Sequence, residues 1–99
     1  MKLVDLDPRW CSESTDRHGM GISFDCPHCV AAKVPVDAIF TIFVPFSNPL
    51  DGKPAFKDHR VLWQRTGDTF ETLTLAPSVD ASRTHPGGWH GHVQGGELK

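Results

Sequence analysis

Ninety-nine residues and 10.9 kDa give room for a single domain, residues 1–99, and none for a second independently packed core. Hydrophobic residues are 38% of the chain and charged ones 22%, which excludes a disordered tail. The net charge of −2 is spread evenly, with four Lys/Arg against six Asp/Glu in residues 1–50 and six against six in residues 51–99, so no basic field favours nucleic acid as a partner.

The elements are short, because eight prolines and nine glycines punctuate the chain and no window carries a clean helical stripe. Residues 2–6 alternate and predict an edge strand. Residues 21–25 put Ile22 and Phe24 on one face and Ser23 and Asp25 on the other, a half-buried strand. Residues 38–46 aim Phe40, Ile42, Val44 and Phe46 one way, which makes this the best core strand, with Pro45 marking an edge or an end. It is also the longest mainly apolar run, nine residues where a membrane span needs about 20.

Asn48-Pro49 and Asp51-Gly52 favour a reversal of the chain. Residues 61–65 follow with Val61 and Trp63 on one face. Thr66-Gly67-Asp68 then predicts a hairpin turn into residues 69–75, where Leu73 and Leu75 share a side. Residues 77–82 predict one helical turn with Ser78 near its start. A last strand is expected over residues 89–94, with Gly95-Gly96 as a tight turn into residues 97–99. The fold class expected is all-β, a small irregular β-sandwich or zinc-ribbon-like domain with a single zinc site.

Cysteine and histidine carry the chemistry. Three cysteines in a chain whose first residues lack a signal-peptide apolar core argue against a disulfide framework and for metal or thiol chemistry. Cys26-Pro27-His28-Cys29 has the spacing that lets two thiolates reach one ion from a tight knuckle. Zinc then needs two more nitrogen or sulfur ligands, and His85, His90 and His92 are the other concentration of such donors. Cys26, Cys29 and His90 with either His85 or His92 would complete a Cys2His2 set; His28 is expected to point outward.

The same Cys-Pro-His-Cys run also serves as the active site of thioredoxin-fold disulfide oxidases, with a helix N-terminus lowering the first thiol's pKa. Pro35 stops any helix after barely one turn, and no later βαβ pattern follows, so metal binding is the stronger expectation. Trp10, Trp63 and Trp89 are expected in the core or as walls of the metal site. Asp68 is expected to serve a turn, His59 and residues 16–19 to lie in solvated loops, and Cys11 to be a buried apolar residue or an incidental thiol.

Several motifs, in order, resemble a family of small uncharacterised phage and prophage proteins. They are Leu6-Asp7-Pro8-Arg9-Trp10, the Gly-x-x-Phe-x-Cys-Pro-x-Cys of residues 21–29, and Val44-Pro45-Phe46-Ser47-Asn48-Pro49. Residues 63–70 and 73–79, together with Trp89-His90-Gly91-His92-Val93, continue the likeness. The resemblance implies a zinc site built from Cys-x-x-Cys and a later Cys-x-Trp-His. Cys26, Cys29 and His90 match it, but Gly87 stands where that family's second-motif Cys would be. His85, on the same loop, is the economical replacement and His92 the fallback, giving Cys26, Cys29, His85 and His90 as the expected ligands of one structural Zn2+.

Four protein ligands would close the site and leave no open position for catalysis. The expected function is therefore a non-catalytic zinc-binding module of phage or prophage origin. It would act on a protein partner, as a virion or assembly accessory or as an effector against a host protein, in the bacterial host cytoplasm or with the virion. The alternatives are a metal-dependent hydrolase with an open zinc position and a nucleic-acid-binding zinc module. No membrane association is expected.

Overall fold

Strand alternation builds the largest sheet. In the computed structural model, which describes residues 1–59, 61–83, 85 and 87–99, β1 (Arg9–Trp10), β2 (Gly21–Asp25) and β3 (Thr41–Pro45) form an antiparallel sheet in the order β1-β2-β3. Ile22 pairs with Val44 and Phe24 with Ile42, so the apolar sides of both strands face the core together. The strand expected over residues 38–46 is shorter: Ala38 belongs to a 3-10 turn, Val36–Ala38, and pairing starts only at Thr41. Between β2 and β3 lies α1 (Pro27–Ala31), a five-residue helix with Pro27 at its start, where a missing N–H costs nothing.

Residues 2–6 correct the expected edge strand. Leu3–Leu6 is a 3-10 turn, and only Lys2 pairs, as an isolated bridge to Glu97. The physical reason is the three-residue spacing of Leu3 and Leu6. On a strand they would face opposite sides, whereas three residues per turn bring both to one side, and both are fully buried.

The second half of the chain folds into three small antiparallel hairpins. They are β4 (Gln64–Thr66) with β5 (Thr74–Ala76), β6 (Val79–Asp80) with β7 (His90–Gly91), and β8 (Val93–Gln94) with β9 (Glu97–Leu98). Gly95 and Gly96, both at positive φ, make the two-residue turn expected of them. The stretch 89–94 is not one strand: its first part pairs with β6 and its second with β9. The helical turn expected over residues 77–82 is a strand instead, because Val79 inserts into the core while Ser78 and Asp80 stay partly exposed. Val61 lies outside β4 and is exposed, whereas Trp63 bridges Phe46 and donates its indole N–H to the Ser78 carbonyl at 3.2 Å.

Long-range ties close the fold. Asn48 clasps β4 with its side-chain amide, donating to the Arg65 carbonyl at 2.9 Å and accepting the Arg65 N–H at 3.0 Å. The Leu3 N–H donates to the Gly96 carbonyl at 2.8 Å, and the Leu98 N–H to the Met1 carbonyl at 2.9 Å. Trp10 stacks on Phe70 with ring centres 4.5 Å apart, and Trp89 meets Phe24 edge-on at 6.3 Å. Both contacts join the three-stranded sheet to the hairpins. No helix among the described residues is long and apolar enough to cross a membrane.

Candidate functional site

The Cys-Pro-His-Cys run occupies the step from β2 into α1. Cys26 is the cap residue of α1; its N–H donates to the Phe40 carbonyl at 2.9 Å and its carbonyl accepts from Val30 at 3.1 Å. This backbone frame buries both thiols: Cys26 is fully buried and Cys29 is 7% exposed. All three cysteines are unpaired thiols. Cys11 is half-buried, and that burial pushes its thiol pKa up, which makes it a weaker nucleophile.

His85 arrives from the far end of the sequence. Its ring lies flat on Phe40, with centroids 4.6 Å apart and planes 2° from parallel, and its Nε2 stands 3.7 Å from the Cys29 Sγ. A second clasp runs alongside, where the His28 Nδ1–H donates to the Gly87 carbonyl at 2.9 Å. The Gly88 N–H bonds back to the His85 carbonyl at 2.7 Å, and a Cβ on Gly88 would sit 2.7 Å from the carbonyl oxygens of Ala81 and His85. Only glycine allows this close return. Pro86, in the same loop, lies outside the described residues.

Two of the four expected ligands, Cys29 and His85, are thus in contact, and Cys26 sits on the same knuckle. His90 is not with them. Trp89 takes the inward side of the chain against Phe24, so the next residue turns outward, and the His90 Nε2 faces the Ser78 hydroxyl at 3.3 Å. His92 is exposed, with its backbone N–H and carbonyl bonded to Lys99. Among the described residues, no three Cys, His, Asp or Glu side chains are grouped so as to hold an ion in this arrangement.

The Cys29–His85 separation can be set against zinc's own geometry. Tetrahedral zinc with Zn–S of about 2.3 Å and Zn–N of about 2.0–2.1 Å places a sulfur and a nitrogen ligand about 3.6 Å apart. The observed 3.7 Å fits one edge of such a tetrahedron. The donor types of this pair, one thiol and one imidazole, suit the same metal.

The local order strand, Cys-Pro-His-Cys, short helix is shared with thiol oxidases, but here the helix ends at Ala31 and the adjoining sheet is wholly antiparallel. Of the tryptophans, Trp89 is in the core, while Trp10 and Trp63 pack against it half-buried. His59 is exposed, edge-on to Phe43 and Phe56. Residues 16–19 do more than form a loop: the Arg17 guanidinium pairs with Asp51 at 2.9 Å and holds that carboxyl well below the usual carboxylate range.

A second grouping was not expected from the sequence. Ser78, just before β6, and Asp80 flank the inward-facing Val79, and His90 lies directly across from Asp80 on β7. The signal available was the Ser78-Val79-Asp80 alternation, which the helical-turn expectation obscured. Comparison of the chain with protein-family models, with curated proteins and with solved structures returns no match.

Proposed function

We propose that this chain is a zinc-stapled β domain that acts by binding a protein, with Cys26, Cys29 and His85 as the residues that hold the ion. The carrying observation is the 3.7 Å approach of the His85 Nε2 to the Cys29 Sγ, made between residues 56 positions apart. A buried thiol and an imidazole brought together over that distance form a donor pair, and Cys26 is the nearest further thiol in the chain. His90, whose Nε2 faces the Ser78 hydroxyl, is left out of the set, as is the exposed His28.

Such an ion would supply cross-linking. It would fasten the end of β2 to the loop that carries His85, joining the two halves of a domain small enough to need a staple. Three protein ligands would leave one position open, but two thiolates would neutralise most of the ion's charge and weaken it as a Lewis acid, which favours a structural role. The balanced surface charge supports a protein as partner over a nucleic acid. A virion accessory or an effector on a host protein is the form of that partnership that fits the resemblance to small phage and prophage proteins.

Elemental analysis of the purified chain tests the reading. One zinc per chain is expected, lost in Cys26→Ser, Cys29→Ser and His85→Ala and retained in His90→Ala and His92→Ala. In peptide models a structural zinc contributes on the order of 10–16 kcal/mol to folding, so the variants that lose it should also melt at much lower temperature. A metal-free wild-type protein, or a His85→Ala protein with full zinc content, would refute the assignment.

A further inference from the structure

The outward face of the β6–β7 hairpin holds a set of side chains that the staple does not use. Ser78 and Asp80 flank the buried Val79, and the register places Asp80 opposite His90. All three side chains therefore stand on one side of the ladder. The Ser78 hydroxyl lies within hydrogen-bond reach of the His90 Nε2, at 3.3 Å. They open into a cleft of about 430 Å³, within the range of small-molecule sites.

The same cleft has an apolar part, lined by Val61, Trp63 and Pro77. The Trp63 indole N–H donates to the Ser78 carbonyl at 3.2 Å, which fixes the apolar wall relative to the hydroxyl. Arg83 stands at the rim with its Nε 3.5 Å from the Asp80 carboxylate. The Asp80 carboxyl is held below its ordinary range, first by a hydrogen bond from the Ser82 hydroxyl and further by the charges of His90 and Arg83.

We propose that this cleft is an acyl-transfer site for small esters with an apolar acyl group, with Ser78 as nucleophile and His90 as general base. The Ser78 Oγ forms a bond to the ester carbonyl carbon while its proton passes to the His90 Nε2. Collapse of the tetrahedral adduct breaks the bond to the alcohol oxygen, which takes that proton from His90. Water, deprotonated by His90, then adds to the acyl-serine; the carboxylic acid departs and the Ser78 hydroxyl is restored. Val61, Trp63 and Pro77 receive the acyl chain, and Asp80 is a positioning residue that stabilises the imidazolium.

The test uses the full chain as purified, with p-nitrophenyl butyrate as substrate and a fluorophosphonate as covalent probe. The probe is expected on Ser78 when the labelled wild-type protein is mapped by peptide mass spectrometry, a readout that does not depend on any variant folding. Ser78→Ala should lose both label and hydrolysis while keeping its zinc content, which separates this site from the staple. His90→Ala should slow hydrolysis by about 100-fold or more. Asp80→Asn should lower kcat with KM unchanged. No label on the wild type, label on another residue, or hydrolysis that survives Ser78→Ala would overturn the proposal, as would a His90→Ala protein that reacts at the wild-type rate; a KM effect alone in Asp80→Asn would remove the role given to Asp80.

Discussion

The three-stranded sheet and the three hairpins are held by different means. In residues 21–45 two five-residue strands pair along their whole length, and each buried side chain faces a buried partner. Among the described residues of 64–98 no strand exceeds three residues, and the hairpins are fixed by contacts made from elsewhere, such as Asn48 on Arg65 and the Leu3 N–H on Gly96. A strand pair of that length carries its own ladder and apolar face. Two-residue strands do not, since an isolated hairpin is at best marginally stable. The difference teaches where the proposed staple would act: the Cys29–His85 contact crosses from the first region to the second.

Phe24→Ala would break the comparison most severely, because Phe24 belongs to the sheet and also meets Trp89 of the hairpin half. A loss of about 3–5 kcal/mol is expected from removing a fully buried phenylalanine, read by denaturant unfolding. Hydrogen exchange on the same variant should show faster opening of residues 89–98 than of residues 21–25. Equal acceleration in both would mean that the two regions unfold as one unit.

A smaller and more local effect is expected from Gly88→Ala. The added methyl would press on two carbonyl oxygens at 2.7 Å, and the overpacking should cost about 1–3 kcal/mol while displacing the His85 loop. Zinc affinity should fall with it, whereas Gly87→Ala meets no atom within 4 Å and is strained only through its φ of 78°. If Gly88→Ala binds zinc like the wild type, the loop does not depend on that close return.

The smallest effect concerns acid. The Asp51 carboxyl is held far below its usual range, first by the side-chain hydrogen bond from Arg17 and next by the His18 backbone N–H. A carboxyl depressed in the folded state adds stability that is complete above its ordinary, unfolded value. That stability is lost as the pH falls towards the folded one, because the unfolded chain then binds more protons. Asp51→Asn should therefore flatten the acid side of a stability-against-pH curve beside the first region. Asp80→Asn should do the same more weakly beside the second, as its carboxyl is lowered mainly by the Ser82 hydroxyl. Parallel curves for wild type and Asp51→Asn would show that the Arg17 pair contributes nothing to acid resistance.

Much of the first region was legible in advance. The boundaries of β2 follow from Ile22 and Phe24 alternating with Ser23 and Asp25, and the Gly95-Gly96 turn follows from two residues free to take positive φ. The errors gathered where neighbours in space overrode spacing in sequence. Alternation reads Leu3 and Leu6 as strand residues, whereas the core beneath them requires both on one side. Local sequence suits Ser78 to a helical turn, whereas Val79 has a core position to fill and the indole of Trp63 holds the Ser78 carbonyl.

The sequence by itself determined that two thiols would share one knuckle, since Cys26 and Cys29 are three apart across a turn led by proline, and it determined which histidines were available to them. It could not determine which histidine would come. His85, His90 and His92 are chemically equivalent donors within eight residues, and their choice of neighbour was decided by a residue that is not a ligand. Trp89, too large and apolar to leave in water, turned inward against Phe24. Alternation along the backbone then sent His90 outward to Ser78, while the return at Gly88 set His85 on Phe40 beside Cys29. Burial of bulk is settled by the whole fold, and the polar side chains on the same strand and loop take the directions it leaves them.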